Sequence, residues 1–533
     1  MGPSAVKKKF TQHKVIKAII LFSLFTLTAC GGGGSNDSSQ SHIGAGNGSG
    51  STTGLTWVSG TFADHADLKN QCAADSSGSE MAEKMWLRSF SDDTYLWYDE
   101  IPDQDPAPFS VLDYFDELKT SALTPSGNEK DRFHFSMSSE EWQELSSSGA
   151  SVGFGFNIAI EQGDGIERKI TITYSEPNTP ATEANIIRGA VIVEINGASV
   201  AANDSASIEA LNEGLFPSES GQQATFKIQD LASLDIREVT LTAETIISDP
   251  VPLVKSFAST AGKVGYVVFN DHIATAERGL YDVFNQLETE NIDELIIDFR
   301  YNGGGYLAIA SQLGYMVGGT NTLGKTFEKL IFNDKYPSVN PITGRTLSPT
   351  PFYDETVGLN DVYISAGFEL PTLNLSRVIV LTSAGTCSAS ESFMNGMLGA
   401  NVEVIQIGST TCGKPYGFYA ADNCETTYFT VQFKGENNLG FGDYADGFSP
   451  SETPMLDTEI QGCPVTDDLT KALGDPQEGM FSTAMHYLEN GQCPTMTTAE
   501  TKTYTVNTKV EQGFAVQDKR ARSQFSANRI LTR

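Results

Sequence analysis

Between Gly262 and Asn302 the apolar positions change period twice. Val264-Gly265-Tyr266-Val267-Val268-Phe269 is an apolar run that predicts a buried strand, and the residues from about Ala274 to Glu290 follow helical spacing. Glu294-Leu295-Ile296-Ile297-Asp298-Phe299-Arg300 then predicts a second strand. Strand, helix and strand in that order imply a parallel pair joined by a right-handed crossover. The alternation resumes with a buried strand at Val378-Ile379-Val380, a helix after Ser388, a strand over Val402 to Ile407 and a last helix over Gly479 to Leu488.

Upstream the pattern differs. Met85, Trp86, Leu87, Phe90, Tyr95, Leu96, Trp97, Tyr98, Phe109, Leu112, Phe115 and Leu118 recur at roughly helical spacing, which predicts a small helical domain with these residues as core. Lys130-Asp131-Arg132-Phe133 leads from it into a polar hinge around Ser146-Ser147-Ser148. Ser151 to Thr245 has short alternating runs: a strand opened by Gly153-Phe154-Gly155-Phe156, a second at Ile170 to Thr173, and a third, Val191 to Ile195, ending in the turn pair Asn196-Gly197. Thr427 to Lys434 alternates like a half-exposed strand. The expected fold class is α/β (α+β multi-domain), with an N-terminal helical domain over 57–148, a β domain over 150–246 and an α/β core with βαβ crossovers over 255–490.

The two ends are of another kind. Five lysines up to Lys17, an apolar run from Ile19 to Leu27 and then Thr28-Ala29-Cys30 have the order of a secretory signal over residues 1–29. The ending resembles a bacterial lipobox, which implies lipid attachment at Cys30, and the glycine- and serine-rich stretch over 30–56 reads as a flexible tether. Gly31 after the cysteine implies, by the same resemblance, a lipid-anchored protein of the bacterial outer membrane, on its periplasmic face or at the cell surface. The last segment, 491–533, is a polar tail carrying Lys519, Arg520, Arg522, Arg529 and Arg533.

Composition narrows the functions. The formal net charge is −32, and loss of residues 1–29 takes it to about −37, which argues against nucleic acid as a partner. With Cys30 assigned to lipid, Cys72, Cys387, Cys412, Cys424, Cys463 and Cys493 remain, an even number that favours disulfides in an exported chain. Cys412 with Cys424 and Cys463 with Cys493 are candidate local pairs, and sequence alone does not fix the connectivity. No CxxC and no histidine cluster supports a metal site, and nothing calls for a cofactor.

The candidate chemistry lies in three turns. Gly303-Gly304-Gly305 follows a predicted strand, where glycines let the backbone bend and aim N–H groups at an anion or a developing oxyanion. Thr386-Cys387-Ser388-Ala389-Ser390-Glu391 lies between strand and helix, where a serine can stand as nucleophile. A serine hydroxyl needs a base. His65, His134 and His486 lie in unremarkable contexts, His272 is kept in reserve, and Lys414 in Thr411-Cys412-Gly413-Lys414 qualifies if burial lowers its pKa.

These segments resemble the C-terminal processing peptidases, or tail-specific proteases. Thr386 to Glu391 is similar to their nucleophile motif, Thr411 to Lys414 to their lysine motif 26 residues on, and Asp298-Phe299-Arg300-Tyr301-Asn302-Gly303-Gly304-Gly305 to their Asp-Leu-Arg-x-Asn-x-Gly-Gly segment. The 150–246 unit resembles a PDZ domain through Gly153 to Phe156, Asn178-Thr179-Pro180-Ala181 and Ile195-Asn196-Gly197. The resemblance implies a serine endopeptidase in which Ser388 attacks, Lys414 is general base, and Ala389 with Gly304 or Gly305 forms the oxyanion hole. Gly153, Phe154, Gly155 and Phe156 would hold the C-termini of polypeptide substrates. Ser390 is the competing nucleophile, ranked below Ser388, and Glu391 is expected to cap the helix start.

Two positions depart from the family. Phe418 stands where many relatives carry the glutamine that holds the lysine amine, and Cys387 replaces a small residue. Cys387 and Cys412 flank the two catalytic segments, which suggests a disulfide tying them together. The rival expectation is a non-catalytic peptide- or ligand-binding lipoprotein on the same scaffold. An α/β-hydrolase esterase is disfavoured, because no Gly-x-Ser-x-Gly surrounds Ser388.

Overall fold

In the computed structural model, residues 55–163, 166–495 and 528–529 are described. The expected signal, Cys30, most of the tether and most of the tail lie outside them. No helix among the described residues is long and apolar enough to cross a membrane.

The centre of the chain is a seven-stranded sheet in the order Leu253–Ser259, Gly262–Val268, Glu294–Asp298, Arg377–Thr382, Glu403–Gly408, Glu459–Pro464 and Ser449–Ser451. The first pair is antiparallel and the others are parallel. Parallel strands need both faces covered, so the central ones are largely apolar. Val267, Leu295, Ile297, Val378, Val380 and Val404 pack on one face with helices Ala276–Glu290, Leu307–Gly318 and Ala389–Gly399. Tyr266, Ile296, Ile379, Leu381, Ile405 and Ile407 pack on the other with helix Gly479–Asn490. The predicted strand-helix-strand unit is present with its parallel register, Val264 opposite Glu294.

The 150–246 region folds as a sheet of strands Phe156–Gly163, Ile166–Ser175, Val191–Ile195, Gln223–Gln229 and Ile236–Thr242, with Ala198–Ser199 beside the third and helix Ser205–Leu215 against it. Gly153 to Phe156 does not open one strand. Ala150–Gly153 pairs with Glu244–Ile247, the chain breaks at Phe154 and Gly155, and a new edge strand begins at Phe156. Gly155 has φ +85°, and a Cβ there would lie 2.3 Å from the Thr179 side chain, so the break needs glycine.

The N-terminal stripe forms helices Glu80–Thr94 and Val111–Glu117, with Met85, Trp86, Leu87, Phe90 and Phe115 buried. Leu112 was expected in the core, but it is 51% exposed because the second helix turns that position outward. This core is continuous with the later chain: Tyr428 joins it, and strand Phe135–Ser138 pairs with Thr426–Phe429. The predicted strand Thr427 to Lys434 is broken into Thr426–Phe429 and Phe433–Glu436, which join different sheets. Helical packing alone does not hold this layer. A Cys72–Cys424 disulfide also fastens it, so Cys412 pairs not with Cys424 but with Cys387, the tie suggested between the two segments, and Cys463–Cys493 forms.

Candidate active site

Three turns leave the carboxyl ends of neighbouring parallel strands and meet, which is where open α/β sheets place ligand sites. Backbone bonds lock them together. The Thr386 hydroxyl donates to Phe299 O at 2.9 Å, Cys387 N to Asn302 O at 3.0 Å, and Cys412 N to Thr386 O at 3.0 Å. The Cys387–Cys412 bridge adds a covalent tie between the second and third turns.

Ser388 is the residue before helix Ala389–Gly399 and has φ +58° and ψ −115°. A non-glycine residue in that region costs on the order of 1–3 kcal/mol and persists only where its surroundings impose it. Ser388 is buried, and its Oγ has no hydrogen-bond partner among the described residues. Ser390 differs: its hydroxyl donates to Asn302 O at 3.2 Å. The Ala389 amide opens a helix, where the first N–H groups have no intrahelical acceptor.

The glycine turn sits against the serine. A Cβ on Gly304, whose φ is +107°, would come 2.6 Å from Ser388 Cβ, so the contact requires glycine. Gly304 and Gly305 are not equivalent as oxyanion donors. The Gly304 amide donates to Asn302 Oδ1 at 2.9 Å, so of the two it is the one engaged by that side chain. Asn302 Nδ2 donates to Phe269 O at 2.9 Å, which fixes its amide orientation and makes its Oδ1 the acceptor for His272 Nδ1 at 2.9 Å. The reserve residue His272 is wholly buried, and burial lowers its pKa to about 3. It is therefore a weak base that braces the turn: its N–H donates to Gly304 O at 2.9 Å, and Tyr306 N donates to its carbonyl at 2.8 Å. The edge of Gly305 and Tyr306 pairs in parallel with Asn528 and Arg529.

Glu391 joins serine to lysine. Its Oε2 accepts from Ser388 N at 3.0 Å and Lys414 N at 2.8 Å, and its Oε1 accepts from Gly413 N at 2.8 Å and the Thr411 hydroxyl at 2.5 Å. Burial raises its pKa, and these donors oppose the rise. The expected helix cap is thus also the brace of the lysine loop, a second role that needed the third dimension to appear. Lys414 is wholly buried, with Nζ 4.4 Å from the Phe418 ring centroid and 5.0 Å from that of Phe133. Desolvation pushes its pKa well below the usual lysine value, partly opposed by Asp131 and Glu391.

Behind the glycine turn, Arg300 is buried and donates to Asp298 Oδ1 at 2.9 Å, Glu478 Oε1 at 2.9 Å and Asp467 Oδ1 at 2.6 Å. Arg188 of the 150–246 unit reaches the same Asp467 oxygen at 2.6 Å and also donates to the Tyr301 hydroxyl. Charge pairing thus links that unit to the strand that carries the turn. In the same unit Phe154 and Phe156 are buried in its core, while the Gly155 carbonyl accepts from Glu176 N at 2.7 Å and the Phe154 carbonyl from Ala181 N at 2.9 Å. Ligand atoms of Cys387, Glu391 and Cys412 lie within 4.8 Å of one another. Both sulfurs are committed to the disulfide and the carboxylate to backbone amides, so this donor set fits no metal.

The residues that sequence reasoning passed over are Asn302 and Asp131 to Phe133. Asn302 stood inside a quoted motif with no role given. In Lys130 to Phe133, which leads into the predicted hinge, the mixture of charge with an aromatic is the available signal.

Residues 263–417, a span that contains the glycine turn, Ser388 and Lys414, match the family model of Peptidase family S41. The chain is 24% identical over 276 residues to a carboxyl-terminal-processing protease of Picosynechococcus, covering 51% of this chain and 56% of that protein. It is 27% identical over 168 residues to a carboxy-terminal processing protease of Bacillus subtilis, covering 30% and 32%. The chain thus spans about half the length or less of these curated relatives. A solved structure from Bacteroides fragilis, described as an S41 protease, superposes with a TM-score of 0.56 at 21% identity, covering 76% of this chain and 96% of that one. The fold is the mixed α/β arrangement of that protein.

Proposed function

We propose that this chain is a serine endopeptidase of the C-terminal processing type, working through a Ser388/Lys414 dyad. The observation that carries the proposal is a wholly buried lysine, held below its usual pKa, on a loop fastened to the serine's own turn through Glu391. A neutral amine can take a proton from a serine hydroxyl and a solvated ammonium cannot.

In this reading Ser388 Oγ attacks the peptide carbonyl while its proton passes to Lys414 Nζ. The oxygen that gains charge is met by the amides of Ala389 and Gly305. Lys414 then returns the proton to the leaving amine as the C–N bond breaks, and water, deprotonated by Lys414, hydrolyses the acyl-serine. The substrates are polypeptides. The 150–246 unit acts as a PDZ-like module, in which the amides of Gly153, Phe154, Gly155 and Phe156 receive a C-terminal carboxylate and the edge strand from Phe156 pairs with the peptide. Cys30 carries the lipid that tethers the enzyme to the bacterial envelope, at the outer membrane.

The test is cleavage of a denatured protein by the purified mature chain beside Ser388→Ala and Lys414→Ala. Each variant is expected to lose at least about 1000-fold in kcat/KM. Cleavage at the parental rate by either one refutes the dyad.

A further inference from the structure

The loop that carries Lys414 is fastened through consecutive amides. Thr411 N donates to Phe448 O at 3.0 Å, Cys412 N to Thr386 O at 3.0 Å, and Gly413 N and Lys414 N to the Glu391 carboxylate, each at 2.8 Å. All of these partners belong to the α/β core. The Cys412 carbonyl differs, because its donor is the guanidinium of Arg132, 280 residues upstream in the N-terminal layer.

The same nitrogen, Nη2, also donates to Ala445 O at 3.4 Å. That second carbonyl lies on a loop pressed backbone to backbone against the first. A Cβ on Gly413, whose φ is +83°, would come 2.4 Å from Ala445 O, and one on Gly447 would come 2.2 Å from Thr411 O. No side chain fits between the two loops, and a carbonyl from each turns to one cation. A guanidinium suits that place, since it carries five donors in a fixed fork and no acceptor.

The segment that presents Arg132 has a fixed shape. Asp131 is buried, its Oδ1 accepts from Phe133 N at 3.0 Å and its Oδ2 from the Tyr95 hydroxyl at 2.7 Å, and Leu96 N donates to Val431 O at 2.8 Å. Phe133 is buried as well, with its ring centroid 5.0 Å from Lys414 Nζ and 5.2 Å from Arg132 Cζ. Arg132 itself is exposed, so its donors can be removed without opening the core.

We infer that Arg132 is a positioning residue for Lys414: it clamps the lysine loop to the loop of Ala445 to Gly447 and so fixes where the base stands relative to Ser388. Cys412 then has two backbone holds, its N–H on the turn of Ser388 and its carbonyl on the N-terminal layer. Arg132 lies outside the stretch that matches the peptidase family, so this layer adds a part that the family segment does not contain. The inference rests on the Ser388/Lys414 reading and adds a group that places the base.

The experiment is steady-state and single-turnover cleavage of an unstructured protein by the full chain and by Arg132→Met, with urea unfolding on the same preparations. Methionine keeps an unbranched apolar stem and removes the donors. The expected result is a fall of about tenfold in kcat with KM within about twofold of the parent, because the loss is in placing the base and not in binding substrate. Arg132→Lys, which returns a cationic donor to the Cys412 carbonyl, should recover kcat to within about threefold. Arg88→Met removes a buried arginine of the same layer, which donates to Asp103 at 2.6 Å and to Thr61 O at 2.8 Å. It should lower stability more than Arg132→Met does and leave kcat unchanged.

Parental kcat in a folded Arg132→Met chain, with Lys414→Ala inactive, overturns the positioning role and leaves the dyad standing. An equal loss of kcat in Arg88→Met overturns it too, since the effect is then a general loosening of the layer. Cleavage at the parental rate by Lys414→Ala overturns the dyad and this inference together. If Arg132→Met does not fold, Arg132→Ala takes its place, and parental kcat in that variant refutes the inference.

Discussion

The amides of Ser388 and Lys414 donate to one atom, Oε2 of Glu391, at 3.0 and 2.8 Å. Two segments 26 residues apart are thereby fixed to each other through a single carboxylate, whose second oxygen holds Gly413 N and the Thr411 hydroxyl. An amide has only one acceptor oxygen. Glu391→Gln would set an NH2 group against N–H donors at one edge, so it should destabilise the fold by about 2–4 kcal/mol. Activity should fall further than stability explains, by on the order of 100-fold in kcat, because the serine and the lysine loop both lose their shared anchor. Denaturant unfolding and single-turnover cleavage measured on one preparation separate the two effects.

The same carboxylate shows what the sequence could and could not convey. The serine and lysine turns were legible because each is a local signature after an apolar strand, and the strand-helix-strand unit was legible because its periodicity is local too. Glu391 as a helix cap followed from its place in the first turn, but its hold on Lys414 did not, because nothing local says that the two turns meet. The Cys72–Cys424 bridge spans 352 residues and defeated a preference for near neighbours. Gly304 and Gly305 look alike in sequence, and only the fold of the Asn302 side chain decides which amide is engaged. Leu112 fitted a helical stripe whose second helix faces outward at that position.

The lowered pKa of Lys414 has a consequence for stability. The unfolded chain keeps that proton up to the ordinary lysine pKa of about 10.5, while the folded chain loses it at lower pH. In the window between those values the unfolded state binds more protons, so the lysine's contribution to folding becomes more favourable as pH rises and is most unfavourable below the folded pKa. Lys414→Met, which keeps the apolar stem and removes the amine, should therefore be more stable than the parent at pH 7. The difference should shrink steadily towards pH 10. Urea unfolding at a series of pH values measures it, and a difference that does not change with pH contradicts the depressed pKa.

The Cys387–Cys412 bridge joins the residue before Ser388 to the residue two before Lys414. By the loop-closure argument, a link across 25 residues contributes roughly 3 kcal/mol. Its larger effect should be on placement. The double variant Cys387→Ala/Cys412→Ala is expected to fold, with kcat reduced by about tenfold and KM little changed, since substrate binding does not use the bridge. Treatment of the parent with a thiol reductant under native conditions should lower activity in the same way, and the variant should be insensitive to it. Reductant sensitivity that survives in the double variant would assign the effect to another disulfide.

The last prediction concerns the edge of Gly305 and Tyr306, which pairs in parallel with Asn528 and Arg529 of the same chain. Its other side is held by His272, whose N–H and carbonyl take Gly304 O and Tyr306 N, so Gly305 turns its own peptide groups towards the tail. In the proposed mechanism that edge carries an oxyanion donor, and a polypeptide backbone lying there would compete with a substrate for it. A tethered competitor acts at a high effective concentration, which raises the apparent KM and leaves the chemical step unchanged. A chain ending at Thr495 should accordingly cleave an unstructured protein with KM lowered by roughly tenfold and kcat unaltered. A synthetic peptide covering residues 520–533 should inhibit the shortened chain competitively and the full chain more weakly. An unchanged KM on truncation would show that the tail does not compete for the cleft.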